Sequence, residues 1–228
     1  MSEVEILGVK LDTLSKQSLL NRIAESISKK EKFLLYTVNN EFIVEANSNH
    51  PYKQALNRST CSIADSTGVV WAVKKLHQKT IERIPGADLF IDLLELADSK
   101  KYSIFLLGGG KGVGELTKKK ISMQFPNIPS ISYLDEVKIS PLAENKDIID
   151  VINKSGCEML FVALGSPKQE LLIDSLQSKL KCSLMIGVGG TFDYYSGKIK
   201  RAPDFMKEMG LEWLYRLIKQ PARAKRIY

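Results

Sequence analysis

The chain has 228 residues, 44% of them hydrophobic, enough for one sizeable domain, or at most two small ones, that buries about 70% of its unfolded surface without covalent staples. Its three cysteines, Cys61, Cys157 and Cys182, are far apart and never form a Cys-x-x-Cys pair, which argues against a disulfide framework or a zinc knuckle and fits a reducing cytoplasm. The 33 basic and 26 acidic residues leave a net charge of +7 concentrated near the C-terminus; with neither a signal-peptide pattern nor an apolar run approaching the roughly 20 residues that span a bilayer, a secreted or integral protein is not expected.

Short apolar runs alternate with amphipathic stretches, the pattern of a mostly parallel α/β sheet flanked by helices. The first predicted helix covers Ser18 to Lys29 and the first strand Phe33 to Val38, which runs into "TVNNEF". The next strand, Cys61 to Ala64, runs into "ADSTG", and a helix is expected to start near Thr67. Asp65 at that junction reads either as the cap of this helix or as a site residue. The segment "ERIPGAD" then places Arg83 before a helix over Ala87 to Ala97; it is a solvated loop arginine or the partner of an anionic ligand, which a guanidinium fork suits better than a lysine.

A strand over Ser103 to Leu107 ends in "GGGKGVG" and a helix over Val113 to Phe125. No register of this loop satisfies G-x-G-x-x-G or the Walker pattern, so Gly108 and Gly109 belong either to a plain turn or to a ligand-binding loop. Further on, a strand over Ser130 to Leu134, a helix over Ala143 to Asn153 and a strand over Met159 to Leu164 lead into "GSPKQE" and a helix over Gln169 to Leu180. Ser166 and Gln169 have capping-box spacing, with Pro167 at the favoured first helical position. The last strand, Leu184 to Val188, ends in "GGTFDYYSG".

In an open parallel sheet ligands bind beyond the carboxyl ends of the strands. Here those ends gather small, polar and glycine-rich residues, a composition suited to a phosphate-bearing ligand. There is no Asp-x-Asp and no His/Cys/carboxylate cluster with ligand spacing, so no metal or cofactor is expected.

One α/β domain over residues 1–200 is followed by a helical appendage over 201–228. In the appendage Leu211, Leu214, Tyr215, Leu217 and Ile218 recur at helical spacing, whereas Arg216, Lys219, Arg223, Lys225 and Arg226 follow Glu212 without another acid. That half-apolar, half-basic tail either packs on the core or also meets an anionic membrane. At about 1 kcal/mol per basic residue, it would supply reversible attachment. Apolar helix faces would serve a homo-oligomer as well as a core.

The sequence resembles the WecG/TagA/CpsF family of bacterial glycosyltransferases, glycosyltransferase family 26. The resemblance rests on "TVNNEF" (37–42), "ADSTGVVWA" (64–72), "ERIPGADL" (82–89), "FLLGG" (105–109), "FVALGSPKQE" (161–170), "GVGGTFDYYSGKIKRAP" (187–203) and "GLEWLYRLIKQPAR" (210–223). It implies a metal-independent, inverting transfer from a UDP-sugar to a polyprenyl-diphosphate-linked saccharide at the inner face of the membrane. In the teichoic-acid branch the donor is UDP-N-acetylmannosamine and the acceptor undecaprenyl-diphosphate N-acetylglucosamine. On this reading Asp65 is the base, Thr37, Asn39 and Gln169 line the sugar pocket, and Arg83 meets the leaving group. Gly108, Gly109, Gly165, Ser166, Gly189 and Gly190 border the nucleotide, Tyr133 stacks on uracil and Asp193 accepts from the ribose. Arg216, Arg223 and Arg226 clamp the acceptor diphosphate. A nicotinamide or flavin enzyme is left with fold analogy alone. A nucleic-acid-binding protein, for which the basic tail is the sole support, is not expected.

Overall fold

Buried parallel strands must be apolar on both faces, and the chain supplies five such runs and a half-exposed sixth, Ile131–Leu134, separated by helices. The computed structural model describes residues 3–137, 145–203, 206 and 212–219. In chain order its elements are β1 (Glu3–Ile6), β2 (Val9–Asp12), α1 (Lys16–Ser28), β3 (Phe33–Val38), α2 (Asn40–Ser48), α3 (His50–Asn57), β4 (Cys61–Ala64), α4 (Thr67–His77) and α5 (Gly86–Lys100). There follow β5 (Ile104–Gly108), α6 (Val113–Gln124), β6 (Ile131–Leu134), α7 (Lys146–Ser155), β7 (Met159–Ala163), α8 (Lys168–Leu176), β8 (Leu184–Gly187), α9 (Thr191–Ser196) and α10 (Glu212–Lys219).

Strands β3 to β8 form a six-stranded sheet in the order β4-β3-β8-β7-β5-β6, parallel at every pairing. Successive residues of a strand point to opposite faces, so the sheet feeds two cores. Leu34, Tyr36, Leu160, Val162 and Met185 pack with α2, α3, α4, α7 and α8. Phe33, Leu35, Met159, Phe161 and Ile186 pack with α1, α5, α6 and α9. Phe90 of α5 meets Phe161 edge-on, with ring centroids 5.0 Å apart.

The six strands predicted in this sheet lie where the sequence placed them, within one residue at each end. The helix expected to reach Leu180 stops at Leu176, and α5 runs on to Lys100. Helices α2, α3 and α9 and the β1–β2 hairpin are additional to the predicted elements. In the hairpin Ile6 pairs with Val9 across Leu7 and Gly8, both at positive φ, the geometry of a two-residue primed turn. Its Val4, Ile6, Val9 and Leu11 join the first core, and Asp12 Oδ2 accepts a hydrogen bond from the Ser62 amide of β4 at 2.9 Å. A side chain thus blunts the outer edge of the sheet, where an unpaired strand would invite association.

Asp12→Ala should remove the acceptor for the Ser62 amide while leaving the sheet intact. The expected loss is about 1–3 kcal/mol, read as a lower urea midpoint with an unchanged slope; an unchanged midpoint would show that the hairpin holds that edge without this bond.

Candidate active site

The chain leaves β5 toward β6 on one side of the sheet and leaves β7 toward β8 on the other. Loops that depart in opposite directions open a crevice over the carboxyl ends of the strands. Two groups of residues border this edge, one on each side of the sheet.

The first group lies on the α5 side. Pro85, at the N-cap position of α5, offers no side-chain cap, and a neighbouring strand supplies one: Asp65 Oδ1 accepts from the Gly86 amide at 2.7 Å. A carboxylate at a helix N-terminus also meets the positive end of the helix dipole. Thr37 comes from the paired strand and is 8% exposed. A Cβ on Gly86 would sit 2.9 Å from Thr37 Oγ1, so only glycine fits beneath it. The Ile84 amide donates to the Ala64 carbonyl at 2.8 Å, which pins the loop carrying the half-buried Arg83 against the end of β4. Thr37, Asp65 and Arg83 therefore reach the same end of two adjacent strands.

Asn39 also performs local work, its Oδ1 accepting from the Phe42 amide at 3.2 Å to cap α2. The cap expected of Asp65 is corrected: α4 is capped by Ser66, whose Oγ accepts from the Val69 amide at 3.3 Å. Asp65 stands one residue too early to reach that turn and caps α5 instead.

The second group lies on the α8 side, where the capping box is also corrected. The Ser166–Pro167 peptide bond is cis, α8 starts at Lys168 with no side-chain cap, and Ser166 Oγ shares a 2.7 Å hydrogen bond with the Tyr52 hydroxyl. Gln169, only 3% exposed, turns its Oε1 toward two backbone amides, Gly165 at 3.1 Å and Gly189 at 3.0 Å. One side-chain oxygen thereby ties the end of β7 to the end of β8. Its Nε2 donates to Glu170 Oε1 at 2.6 Å.

Glu170 is 1% exposed and is the residue of this group that the sequence reading passed over. Its backbone carbonyl accepts from the Tyr36 hydroxyl at 3.3 Å, and its Oε2 has no hydrogen-bond partner among the described residues. The pair has room because Gly187 lacks a side chain: a Cβ there would fall 2.5 Å from Gln169 Nε2 and 2.8 Å from Glu170 Oε1.

The glycine loop is held just as closely. Gly108 and Gly109 both have positive φ, the Gly109 amide donates to the Ala163 carbonyl at 2.9 Å, and a Cβ on Gly108 would stand 2.8 Å from that same carbonyl oxygen. Farther along the loop, the Gly112 and Gly114 amides both donate to the Asp135 carboxylate, at 3.0 and 2.8 Å. Tyr133, 37% exposed, lies on the outer strand with Lys118 Nζ 5.8 Å from its ring centroid. Gly190 stands at the N-cap position of α9 and Asp193 in its first turn. Arg216 lies on α10, whereas Arg223 and Arg226 lie outside the described residues. Among the described residues no group of three or more His, Cys, Asp or Glu is arranged to hold a metal, and no helix is long and apolar enough to cross a membrane.

Residues 4–228 match the model of the Glycosyl transferase WecG/TagA/CpsF family. The chain belongs to this glycosyltransferase family. Among curated relatives, a protein of Bacillus subtilis (strain 168) is 36% identical over 217 residues, 95% of this chain and 80% of its own length. One of Bacillus spizizenii is 36% identical over 193 residues, 85% of this chain and 74% of its own. One of Staphylococcus aureus (strain MRSA252) is 29% identical over 219 residues, 95% and 85% respectively. All three carry the name N-acetylglucosaminyldiphosphoundecaprenol N-acetyl-beta-D-mannosaminyltransferase.

This glycosyltransferase thus carries two acids in contrasting settings. Asp65 is half-buried at the sheet edge, whereas Glu170 is dry. Burial pushes the Glu170 carboxyl from 4.5 up to about 7, against the hydrogen bond from the Gln169 amide, which favours its ionised form. Burial, and then the charge of Glu170, raise the Tyr36 and Tyr52 hydroxyls far above the usual tyrosine range.

Because the folded value of Glu170 exceeds the unfolded one, the folded state holds this proton longer. The associated stability is complete below pH 4.5 and is lost as the pH rises through about 7. Comparing wild type with Glu170→Gln isolates the effect, since other groups titrate in both. Wild type should lose on the order of 3 kcal/mol relative to the variant between pH 4.5 and pH 8. Parallel stability curves for the two proteins in chemical denaturation would refute this ionisation.

Proposed function

We propose that the enzyme transfers N-acetylmannosamine from UDP-N-acetylmannosamine to undecaprenyl-diphosphate-linked N-acetylglucosamine, with inversion and without a metal, in the synthesis of teichoic acid or a related wall polymer. The reading is carried by the Asp65 carboxylate, oriented by the Gly86 amide at 2.7 Å beside Thr37 and Arg83. The activity named for the Bacillus and Staphylococcus relatives supports the choice of donor and acceptor.

In the proposed reaction Asp65 removes the proton from an acceptor hydroxyl as its oxygen attacks the anomeric carbon. The bond from that carbon to the UDP oxygen breaks on the opposite face, which inverts the configuration. Arg83 meets the negative charge that develops on the departing diphosphate, an electrostatic role that needs a fixed cation. Thr37 and Asn39 hydrogen-bond the sugar, and Gln169 shapes the pocket through the Gly165 and Gly189 turns. Gly108, Gly109, Ser166 and Gly190 border the nucleotide, Tyr133 stacks on the base, and Asp193 accepts from the ribose hydroxyls.

Residues 1–200 carry this chemistry, and residues 201–228 form the appendage that faces the acceptor and the cytoplasmic surface of the membrane. Arg201 supports that arrangement, since it pairs with Asp88 of α5 at 2.5 Å and so fastens the start of the appendage two residues from Gly86. On α10, Leu214, Tyr215 and Leu217 are half-buried and Ile218 is exposed, leaving apolar surface for a bilayer interface. Arg216, Arg223 and Arg226 then hold the acceptor diphosphate.

A screen of UDP-sugars against a short-chain polyprenyl-diphosphate N-acetylglucosamine, read as UDP release, should show turnover with UDP-N-acetylmannosamine that EDTA leaves unchanged. Loss of turnover on chelation, restored by a divalent cation, would overturn the metal-independent route. Asp65→Asn should lower turnover about 100- to 10,000-fold while calorimetry finds UDP affinity nearly intact; retained turnover would remove Asp65 from the role of base. Charge reversal at Arg216, Arg223 and Arg226 together should abolish transfer to a lipid-linked acceptor yet spare donor binding. Equal loss of both would place these arginines in the fold instead.

A further inference from the structure

We propose that Glu170 is a positioning residue, which acts through Gln169 to fix the Gly165 and Gly189 turns as one wall of the donor site. The inference rests on the donor-site reading above. An amide side chain has two ends of opposite polarity, and only one orientation suits this location. With Oε1 toward the sheet edge, Gln169 receives both amides, Gly165 at 3.1 Å and Gly189 at 3.0 Å. Flipped, it would set its own N–H groups against two donors, forfeiting both bonds.

Glu170 opposes that flip, because its Oε1 accepts from Nε2 at 2.6 Å and would otherwise face a second acceptor oxygen. Its burial at 1% exposure costs free energy that a leucine of similar volume would avoid. A residue serving only to fill the core would therefore be apolar. The glycine at position 187 points the same way, since any Cβ there would strike both side chains, at 2.5 Å and 2.8 Å. The two turns it governs follow adjacent strands, whose loops leave the sheet before α8 and α9 and diverge unless tied. The hydrogen bonds that join Glu170 to the two turn amides run through Gln169, and its contribution is orientation.

The test compares Glu170→Met, which keeps the length and removes the acceptor, with Glu170→Gln, which keeps an acceptor oxygen. Amide hydrogen exchange at Gly165 and Gly189 is measured in the ligand-free protein, and kcat/KM for the donor is measured alongside. Glu170→Met should accelerate exchange at both amides and lower kcat/KM about 10- to 100-fold, the scale of a displaced binding wall. Glu170→Gln should recover most of both. In a Gln169→Met background the further change to Met at 170 should cost less than about threefold, since residues acting in series are not additive.

Should Glu170→Met fail to fold, Glu170→Asp, whose carboxylate is too short to reach Nε2, must give the same two losses. Exchange at Gly165 and Gly189 unchanged from wild type, full kcat/KM with both amides exposed, or additive losses in the double variant would each overturn the proposal. Exchange is read without substrate, so wild-type inactivity toward UDP-N-acetylmannosamine would overturn the donor assignment and leave the exchange result to judge Glu170.

Discussion

Gln169 Oε1, shared by the amides of Gly165 and Gly189, closes the middle of the sheet at its carboxyl edge. Strand hydrogen bonds end with the last paired residues, Val162 against Gly187, and beyond them each backbone amide needs another partner. A buried side chain with a single acceptor oxygen answers both strands at once, and the geometry it demands spreads outward. Residue 187 must lack a Cβ, α8 must start at Lys168 so that Gln169 falls within reach, and a second acceptor must hold the amide nitrogen. Those demands explain why a Gln-Glu pair sits on the inner face of a helix whose other buried residues are Leu172, Ile173 and Leu176.

The other side of the sheet solves the same problem with a different group. There the orphan donor is the first amide of α5, and a carboxylate from the neighbouring strand end answers it. Asp65 is therefore fixed by the fold before any substrate arrives, and Thr37 packs against the same glycine. The two acids at this carboxyl edge have different surroundings. Glu170, dry and facing an amide, holds its proton up to about pH 7, whereas Asp65 faces backbone N–H and the positive end of a helix.

The six strands were legible in the sequence because a strand buried on both faces has to be a continuous apolar run, and Phe33–Val38 or Met159–Ala163 can be little else. The hairpin carried an equally physical signal, the alternation of Val4, Ile6, Val9 and Leu11 around Gly8, but its two strands are four residues each and a helical reading competes at that length. The capping residues were misassigned for a different reason. Asp65 and Ser166 both stand next to a helix start, and local spacing assigns them to it. Their actual partners, Gly86 and Tyr52, lie 21 and 114 positions away, and only the packed sheet brings them near. Glu170 was passed over because composition places glutamate at the surface. The apolar period of α8 singles out Gln169 with Leu172, Ile173 and Leu176, but gives no reason to bury an acid beside it.

The glycine loop after β5 shows how the fold redistributes charge around the crevice. Its composition suggests a cradle of amides for an anion, yet the amides of Gly112 and Gly114 are already turned onto Asp135. A second anion at that point would meet a carboxylate in place of open N–H donors. Gly108 and Gly109, by contrast, are glycines for steric reasons, because the loop passes against the Ala163 carbonyl at the end of β7. In the proposed reaction the diphosphate charge then falls to cations brought from elsewhere in the chain. In that proposal the loop carrying Arg83, pinned to the end of β4 by the Ile84 amide on the Ala64 carbonyl, brings one such cation to the strand ends.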